Sequence, residues 1–233
     1  MDPILLQVPY YRKVLRTRPI AYWPLGESAG AVAYDLAGAQ RNGAHTGVDL
    51  GQRGIGDHRT APWYDGVGDY TNVYSAALAA AFNGAEGSLM VWVRVNAAAV
   101  WTDGTIRRLI ILRADDNNLV YIGRTATDNQ LDFRVRAGGS DNRVTPAATS
   151  VVWRHYMITW SRTADSVAFY ADGVSFYGAA GIGVWAGALA GTTCVIGAIN
   201  TVPANVFHGW LAHGAVWPRA LAPAEVAALA RVR

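Results

Sequence analysis

The sequence predicts an all-β protein, and three observations lead to this class. Residues that usually cover helix surfaces are scarce, since Lys13 is the only lysine and glutamate occurs at three positions. The chain contains 25 Gly and 9 Pro, which divide it into short segments. These segments are rich in Val, Ile, Tyr, Trp and Thr, the residues favoured in strands. With 233 residues, 52% of them hydrophobic, the chain can form one domain with a large core.

Strands are predicted along the whole chain. They are placed near 20–25, 70–74, 88–95, 107–113, 118–124, 130–136, 152–161, 166–171, 174–178, 193–198 and 207–217. Alternation is clearest where Leu131, Phe133 and Val135 should face the core, with charged residues between them facing solvent. Asp172-Gly173 indicates a type I′ hairpin turn.

Three short helices are predicted at Tyr10–Arg16, Ala76–Phe82 and Pro223–Val232. Pro19 must end the chain segment that contains the first helix, because the residue before a proline avoids helical geometry. Pro223 suits the first position of the third helix.

Residues 1–19 are interpreted as an N-terminal arm or docking segment, and residues 20–233 as a sandwich domain. The arm carries a basic cluster, Arg12, Arg16 and Arg18. These side chains are expected to meet an acidic surface of a partner.

The charge pattern excludes several classes of protein. The net charge is +3, but most arginines stand singly along strands, so no nucleic-acid partner is expected. Asp2 stands where a signal peptide needs basic residues, so the protein is expected to be made in the cytoplasm without a signal peptide. Residues 176–199 are apolar, yet their many glycines favour loops between strands, so no membrane span is expected.

Several short motifs in order resemble a known family. They are Ala21-Tyr-Trp-Pro-Leu-Gly-Glu27, Asp35-x-x-Gly38-x-x-x-Asn42-Gly43, Tyr64-Asp-Gly-x-Gly-Asp-Tyr70, Ser88-Leu-x-x-Trp92-Val-Arg94, Trp153-x-His155-x-x-x-Thr159-Trp160, Tyr170-x-Asp172-Gly173, Ile196-Gly-Ala198, and Gly209-x-Leu211 continuing to Trp217-x-Arg219-Ala-Leu-x-Pro-Ala-Glu225. The chain resembles the laminin-G-like jelly-roll domains of the concanavalin-A-like lectin/glucanase superfamily, in its bacterial and phage branch. The resemblance implies two stacked antiparallel sheets of about six or seven strands each, paired first and last strands, and a short C-terminal helix at one end.

The resemblance also raises the question of catalysis, because the superfamily includes glucanases. Retaining glucanases need two carboxyl groups about 5–5.5 Å apart, and the family places them in a Glu-x-Asp-x-x-Glu pattern. This chain lacks that pattern, and Glu27, Glu86 and Glu225 are far apart in sequence. It also lacks Gly-x-Ser-x-Gly and the usual zinc spacings. The protein is therefore expected not to be an enzyme and to need no cofactor.

Calcium is the one cofactor that the resemblance leaves open. The resemblance implies Asp35 and Asn42 as calcium ligands, together with an acidic pair in the last strand. The chain has Ala212 and His213 where that pair is expected. The loss of two carboxylates should weaken the site greatly.

Sugar binding requires exposed aromatic rings and polar groups on loops. Trp101 and Trp185 lie in glycine-bearing segments outside the family motifs and are the candidates for stacking. Polar contacts are predicted from Asp103, Asp115, Asn117 and Asn118. The alternative is that the two tryptophans pack an oligomer interface or cover a sheet edge.

These features lead to a first hypothesis of a non-catalytic lectin-like module, used for adhesion on a phage virion or particle surface. Its partners would be surface glycans and other structural proteins of a particle, or further copies of the chain. A second hypothesis is a purely structural decoration or tail subunit that makes protein contacts. A glycan hydrolase with an unrecognised site is the third.

Overall fold

The computed structural model describes residues 8–38 and 40–232, which fold into two stacked antiparallel sheets. The helices are α1 (Tyr10–Arg16), α2 (Ala76–Ala81) and α3 (Pro223–Leu229). The strands are β1 (Ala21–Trp23), β2 (Val32–Ala33), β3 (Gly43–Thr46), β4 (Asp49–Arg53), β5 (Thr60–Asp65), β6 (Tyr70–Asn72), β7 (Glu86–Arg94), β8 (Arg107–Asp115), β9 (Asn118–Arg124), β10 (Leu131–Ala137), β11 (Ser140–Val144), β12 (Arg154–Ser161), β13 (Ser166–Ala171), β14 (Val174–Ala179), β15 (Cys194–Ile196) and β16 (His208–Trp217). A 3-10 turn spans Ala98–Trp101.

The two sheets have eight strands each. Sheet A has the order β14-β13-β12-β7-β16-β5-β4, with β1 also paired to β16, and sheet B has the order β11-β10-β9-β8-β15-β6-β3-β2. The first and last strands are paired, with Ala21 opposite Val216. The all-β jelly-roll-like class and the C-terminal helix are thus confirmed, but each sheet is larger than the six or seven strands implied.

Every strand predicted from the sequence is present, with ends shifted by at most two residues. Asp172 and Gly173 both have positive φ, 47° and 82°, as a type I′ turn requires. The third helix ends at Leu229 and does not reach Val232.

Five strands were not predicted, namely β2, β3, β4, β5 and β11. Their sequences are poor in strand-forming residues: β3 reads Gly-Ala-His-Thr, β11 reads Ser-Asp-Asn-Arg-Val, and β5 contains Pro62. Three of them, β2, β4 and β11, are edge strands. Pairing with a neighbouring strand, rather than local composition, makes these segments extended.

The main core fills the space between the sheets. In β10, Leu131, Phe133 and Val135 are at most 2% exposed and belong to this core, which confirms the predicted alternation. Asp132 lies on the outward side as predicted. It is nevertheless 1% exposed, and Arg143 Nε donates to its carboxylate at 2.7 Å.

A second apolar cluster lies on the outer face of sheet A, the face that points away from sheet B. It combines residues of α1, of α3 and of the central strands, namely Tyr10, Val14, Tyr22, Ala61, Met90, Trp92, Met157, Tyr170, Ala212, Ala215, Trp217, Leu221, Val226 and Leu229. The helix of the predicted arm is therefore packed on the sandwich. Residues 1–7 of that arm lie outside the described residues.

The apolar glycine-rich segment 176–199 begins in β14, continues as irregular chain and ends in and just after β15. In the described part of the chain, no helix has the length and hydropathy needed to cross a membrane.

Candidate functional site

Trp101 is a core residue. It is 2% exposed, and its indole N–H donates to the carbonyl of Ser150 at 2.8 Å. The 3-10 turn points both Val100 and Trp101 inward. Because stacking on a sugar requires an exposed ring face, the predicted role of Trp101 is corrected. Its ring attaches this glycine-bearing loop to the core.

Asp103 lies on the same loop and holds it to sheet B. Its carboxylate accepts hydrogen bonds from Arg107 Nη2 and, at 2.8 Å, from Arg124 Nη1. Arg124 is fully buried and also donates to the carbonyl of Trp101 at 2.7 Å. Partial burial acts to raise the pKa of Asp103, but the hydrogen bond and charge of Arg107, with Arg124, lower it. Both carboxylate oxygens of Asp103 therefore form hydrogen bonds within the protein that hold the loop in place. A polar contact from Asp103 to a sugar stays a prediction.

The other predicted polar residues lie together at the turn between β8 and β9. Asp115 and Asn117 are exposed, whereas Asn118 is 3% exposed. Asn118 Nδ2 donates to Asp115 Oδ1 at 2.9 Å, and Asn118 Oδ1 accepts from the backbone N–H of Ala186 at 2.9 Å. The structure thus joins this turn to the loop that carries Trp185.

Trp185 is half-buried. Its ring lies against Gly84, where an added Cβ would be 2.0 Å from Trp185 Cγ, and it meets the Phe82 ring edge-on at 5.2 Å between centroids. Its indole N–H donates to the carbonyl of Gly187 at 3.2 Å. One side of the ring is therefore used for packing. Sugar binding by Trp185 with Asp115, Asn117 and Asn118 stays a prediction.

Asp35 and Asn42 organise the loop between β2 and β3. Asp35 Oδ1 accepts from the backbone N–H groups of Tyr22 at 2.9 Å and Ala37 at 2.8 Å. Asn42 Oδ1 accepts from the backbone N–H of Asp35 at 2.9 Å. Over residues 8–38 and 40–232, no group of three or more His, Cys, Asp or Glu side chains is placed to hold a metal ion. Calcium binding by Asp35 and Asn42 stays a prediction.

The basic side chains of the arm point into solvent. Arg12 and Arg16 on α1, and Arg18 just after it, are exposed, while Tyr10 and Val14 on the opposite side are at most 1% exposed. This orientation is compatible with a docking role. The docking role itself stays a prediction.

A row of aromatic and basic side chains, not predicted from the sequence, crosses the outer face of sheet A. Trp63 of β5 lies opposite Trp210 of β16, with 4.4 Å between ring centroids. Arg94 of β7 lies opposite Trp210 on its other side, with its guanidinium carbon 4.7 Å from the Trp210 centroid. The His208 ring is 5.1 Å from that of Trp63. We call Trp63, His208, Trp210 and Arg94 the aromatic row.

Neither tryptophan of the aromatic row belongs to a hydrophobic cluster of the described residues, and both are half-buried. Their orientation follows from strand alternation. Tyr64 and Leu211 are fully buried in the main core, so the residues before them, Trp63 and Trp210, must face outward. A tryptophan adjacent to a core position on the same strand is the signal by which the sequence could have revealed this surface.

His208 is the one imidazole of the aromatic row. Partial burial and the nearby charge of Arg107 lower its pKa. The space beside its ring requires Gly66, which has φ +81° and where an added Cβ would lie 2.9 Å from His208 Cβ. The glycine thus allows the β5–β6 turn to pack closely against the end of β16.

A buried polar network lies on the same face, beneath α1. His213 Nδ1 is 2.7 Å from the Tyr22 hydroxyl, and His213 Nε2 is 3.2 Å from Asp57 Oδ2. His155 is fully buried, and neither of its ring nitrogens has a hydrogen-bond partner among the residues the structure describes. Burial lowers the pKa of His155 to about 3. Because the two histidines are at most 1% exposed, we assign them to stability and not to ligand contact.

The aromatic row combines the two kinds of group that sugar recognition needs. Indole rings provide flat apolar surface with an N–H at the edge, which suits the apolar face of a pyranose ring. The guanidinium of Arg94 provides several donors for hydroxyl or carboxylate oxygens. Its stacking on Trp210 also fixes its orientation, which reduces the entropy lost on binding.

Two stacked antiparallel sheets with an aromatic surface on one outer face define a lectin-like β-sandwich. The family model described as Concanavalin A-like lectin/glucanases superfamily, of the Laminin_G_3 type, matches residues 57–227. The chain belongs to this family. No curated protein sequence matches the chain.

Solved structures share the fold at low sequence identity. The binding domain of Paraclostridial Mosquitocidal Protein 1 is similar with a TM-score of 0.68 and 16% identity, over 93% of this chain and 52% of that one. The receptor binding domain of a botulinum neurotoxin mosaic serotype C/D has a TM-score of 0.69 and 10% identity, over 93% and 51%. A Trypanosoma rangeli sialidase in complex with sialic acid has a TM-score of 0.63 and 11% identity, over 90% and 32%. The chain spans about half, or a third, of the length of these proteins, and the likeness establishes the fold.

Proposed function

We propose that the chain is a non-catalytic carbohydrate-binding module and that the aromatic row is its glycan-binding surface. The observation that carries the proposal is the pair of outward tryptophans, Trp63 and Trp210, whose tilted rings pack together beside Arg94 outside the hydrophobic clusters. The lectin-like family and the similar toxin binding domains support a binding function.

The non-catalytic part of the proposal rests on the distribution of carboxylates. Glu27 follows β1, Glu86 begins β7 and Glu225 lies in α3. Glu27 Oε2 lies 3.5 Å from His45 Nε2, Glu86 Oε1 accepts from the Ser161 hydroxyl at 2.9 Å, and Glu225 is in an ion pair with Arg219. These contacts give each glutamate a structural role.

The proposed setting is a phage virion or another particle surface, where such a module would provide adhesion.

The test is binding to a glycan array by the whole chain and by Trp210→Ala and Trp63→Ala. Each indole ring is expected to stack on one sugar unit, so either substitution should weaken glycan binding by about ten-fold or more. Tyr34→Ala is the matched control, because Tyr34 is 54% exposed and lies outside the aromatic row. Trp185→Ala tests the loop predicted from the sequence.

The proposal fails if the whole chain binds no glycan, or if Trp210→Ala and Tyr34→Ala bind equally well. Loss of binding in Trp185→Ala alone would move the site to the β8–β9 turn. Because Trp210 contributes to no hydrophobic cluster, its substitution should leave the melting temperature close to that of Tyr34→Ala, which separates binding from folding.

The exposed arginines of the arm favour a second candidate function, that of a structural subunit of a particle. Arg12 and Arg16 face solvent from α1, whose other side is fixed to the sandwich, and Arg18 is exposed just after the helix. If the chain has this function, it should form stable oligomers and bind no glycan. Combined replacement of the three arginines by Glu should dissociate these oligomers. Sedimentation of the two proteins at several concentrations measures this directly.

A further inference from the structure

A cleft of about 270 Å³ adjoins the aromatic row. It is lined by the end of β4 and the loop after it, with Arg53 and Ile55, and by Val152 and Trp153 before β12. Arg94 lines the cleft as well and is the same residue that stacks on Trp210. The cleft and the aromatic row are therefore parts of one continuous surface. Its volume is slightly below that of pockets for drug-sized ligands and suits a single small unit.

The cleft is basic. Arg53 and Arg94 line it, and none of its lining residues is acidic. Neither guanidinium forms an ion pair with a carboxylate of residues 8–38 or 40–232, whereas eight other described arginines do. The acid next in sequence, Asp57, has a side chain that is 2% exposed and lies beside His213.

A residue that lines the cleft, Trp153, also has a donor without a hydrogen-bond partner in the part of the chain that the structure describes. The indole N–H of Trp153 is buried without a hydrogen-bond acceptor among the described residues. This N–H is shielded from solvent, so the ligand preference follows from the two guanidinium groups. Neither of them has a carboxylate partner within residues 8–38 and 40–232, which favours a ligand that is rich in acceptor oxygens and negatively charged.

We propose that this cleft binds the carboxylate of an acidic sugar unit, while the neighbouring unit of the same glycan stacks on the aromatic row. Arg53 and Arg94 donate to the carboxylate from two strands, β4 and β7. Arg94 links the two subsites, and Arg53 acts only on the acidic unit. The inference rests on the proposed function, since it assigns a substrate class to that same surface.

The experiment compares matched pairs of glycans that differ in their acidic unit. The probes are sialyllactose with lactose, and oligogalacturonate with the corresponding galactose oligomer, each titrated into the whole chain by calorimetry. The acidic member of at least one pair should bind about ten-fold more tightly, as expected for a charge-assisted hydrogen bond. Arg53→Gln should abolish this preference, so that the acidic and neutral members bind equally.

Arg162→Gln is the control for loss of one positive charge. Arg162 is exposed in the turn between β12 and β13 and does not line the cleft. It should retain the full preference. Equal binding of the acidic and neutral members by the whole chain would overturn the inference, and so would an Arg53→Gln protein that keeps the preference.

The two proposals fail in different ways. If the whole chain binds neutral members through Trp210 but shows no acidic preference, the aromatic row stands and the acidic subsite falls. If it binds neither member of any pair, and no glycan of the array, the proposed function falls and the subsite falls with it.

Discussion

Replacing Tyr10 with Phe tests whether α1 is fixed to the sandwich in solution. The Tyr10 hydroxyl donates to the carbonyl of Leu229 at 2.7 Å and accepts from Trp92 Nε1 at 2.8 Å. Phe keeps the buried ring but leaves the carbonyl and the indole N–H without this partner. Each buried group left unsatisfied costs about 1–3 kcal/mol. The free energy of unfolding should therefore fall by about 2–6 kcal/mol.

Urea denaturation followed by tryptophan fluorescence measures this loss, and calorimetry provides an independent value. In a domain of this size, each kcal/mol changes the melting temperature by about 2–4 °C, so a decrease of roughly 4–24 °C is expected. Tyr11→Phe is the matched control. The Tyr11 hydroxyl accepts from Arg12 Nε at 3.2 Å at the surface, so its loss should change stability by less than about 0.5 kcal/mol.

Equal stability of Tyr10→Phe and Tyr11→Phe would refute this reasoning. It would mean that α1 is detached in solution and that residues 1–19 behave as a free arm. The exposed side of α1, with Arg12 and Arg16, would then have no fixed position on the sandwich.

Two further predictions concern the buried groups Arg124 and His155. Asp103→Asn should destabilise the protein by about 2 kcal/mol, because it leaves the buried Arg124 without its closest carboxylate, whereas Asp116→Asn should cost less than about 0.5 kcal/mol, since Asp116 is 83% exposed beside Arg113. Equal losses in urea denaturation would contradict the assignment of Asp103 to the loop. His155 has a pKa of about 3 when folded, against an ordinary value of 6.5, so the unfolded chain takes up the proton first on acidification. Its neutral state should stabilise the fold fully above pH 6.5, and that contribution should decrease by about 1.4 kcal/mol per pH unit between pH 6.5 and 3. His155→Leu should reduce the slope of stability against pH in this range, and an unchanged slope would show that His155 is not buried as a neutral ring.

The fold was predictable where local sequence and tertiary structure agree. The β10 segment alternates apolar and charged residues, and Asp172-Gly173 encodes its own turn, so both features follow from a few neighbouring residues. By contrast, β5 contains Pro62 and becomes a strand because β4 and β16 pair with it on either side. Information of that kind lies in distant residues and is not visible in a short window.

The site was predictable only in part, because a glycine-bearing segment does not reveal which way its tryptophan points. Trp101 and Trp185 were selected for their loops, yet the 3-10 turn places Trp101 inside. Trp63 and Trp210 stand within strands and were not among the candidates selected from the sequence. Their row forms only when β5, β16 and β7 align, with Trp210 opposite both Trp63 and Arg94. That register depends on three segments far apart in sequence.

The outer face of sheet A shows why the aromatic row is better explained by binding than by packing. At the centre of this face, Met90 and Trp92 are covered by α1 and α3. Trp63 and Trp210 lie on the same face but outside that cluster, and both are only half-buried. A tryptophan that is only partly removed from water contributes less than its full burial energy. Trp63 and Trp210 pack against each other, with Arg94 over the Trp210 ring and a basic cleft beside them, and instead form an aromatic surface that a ligand can cover.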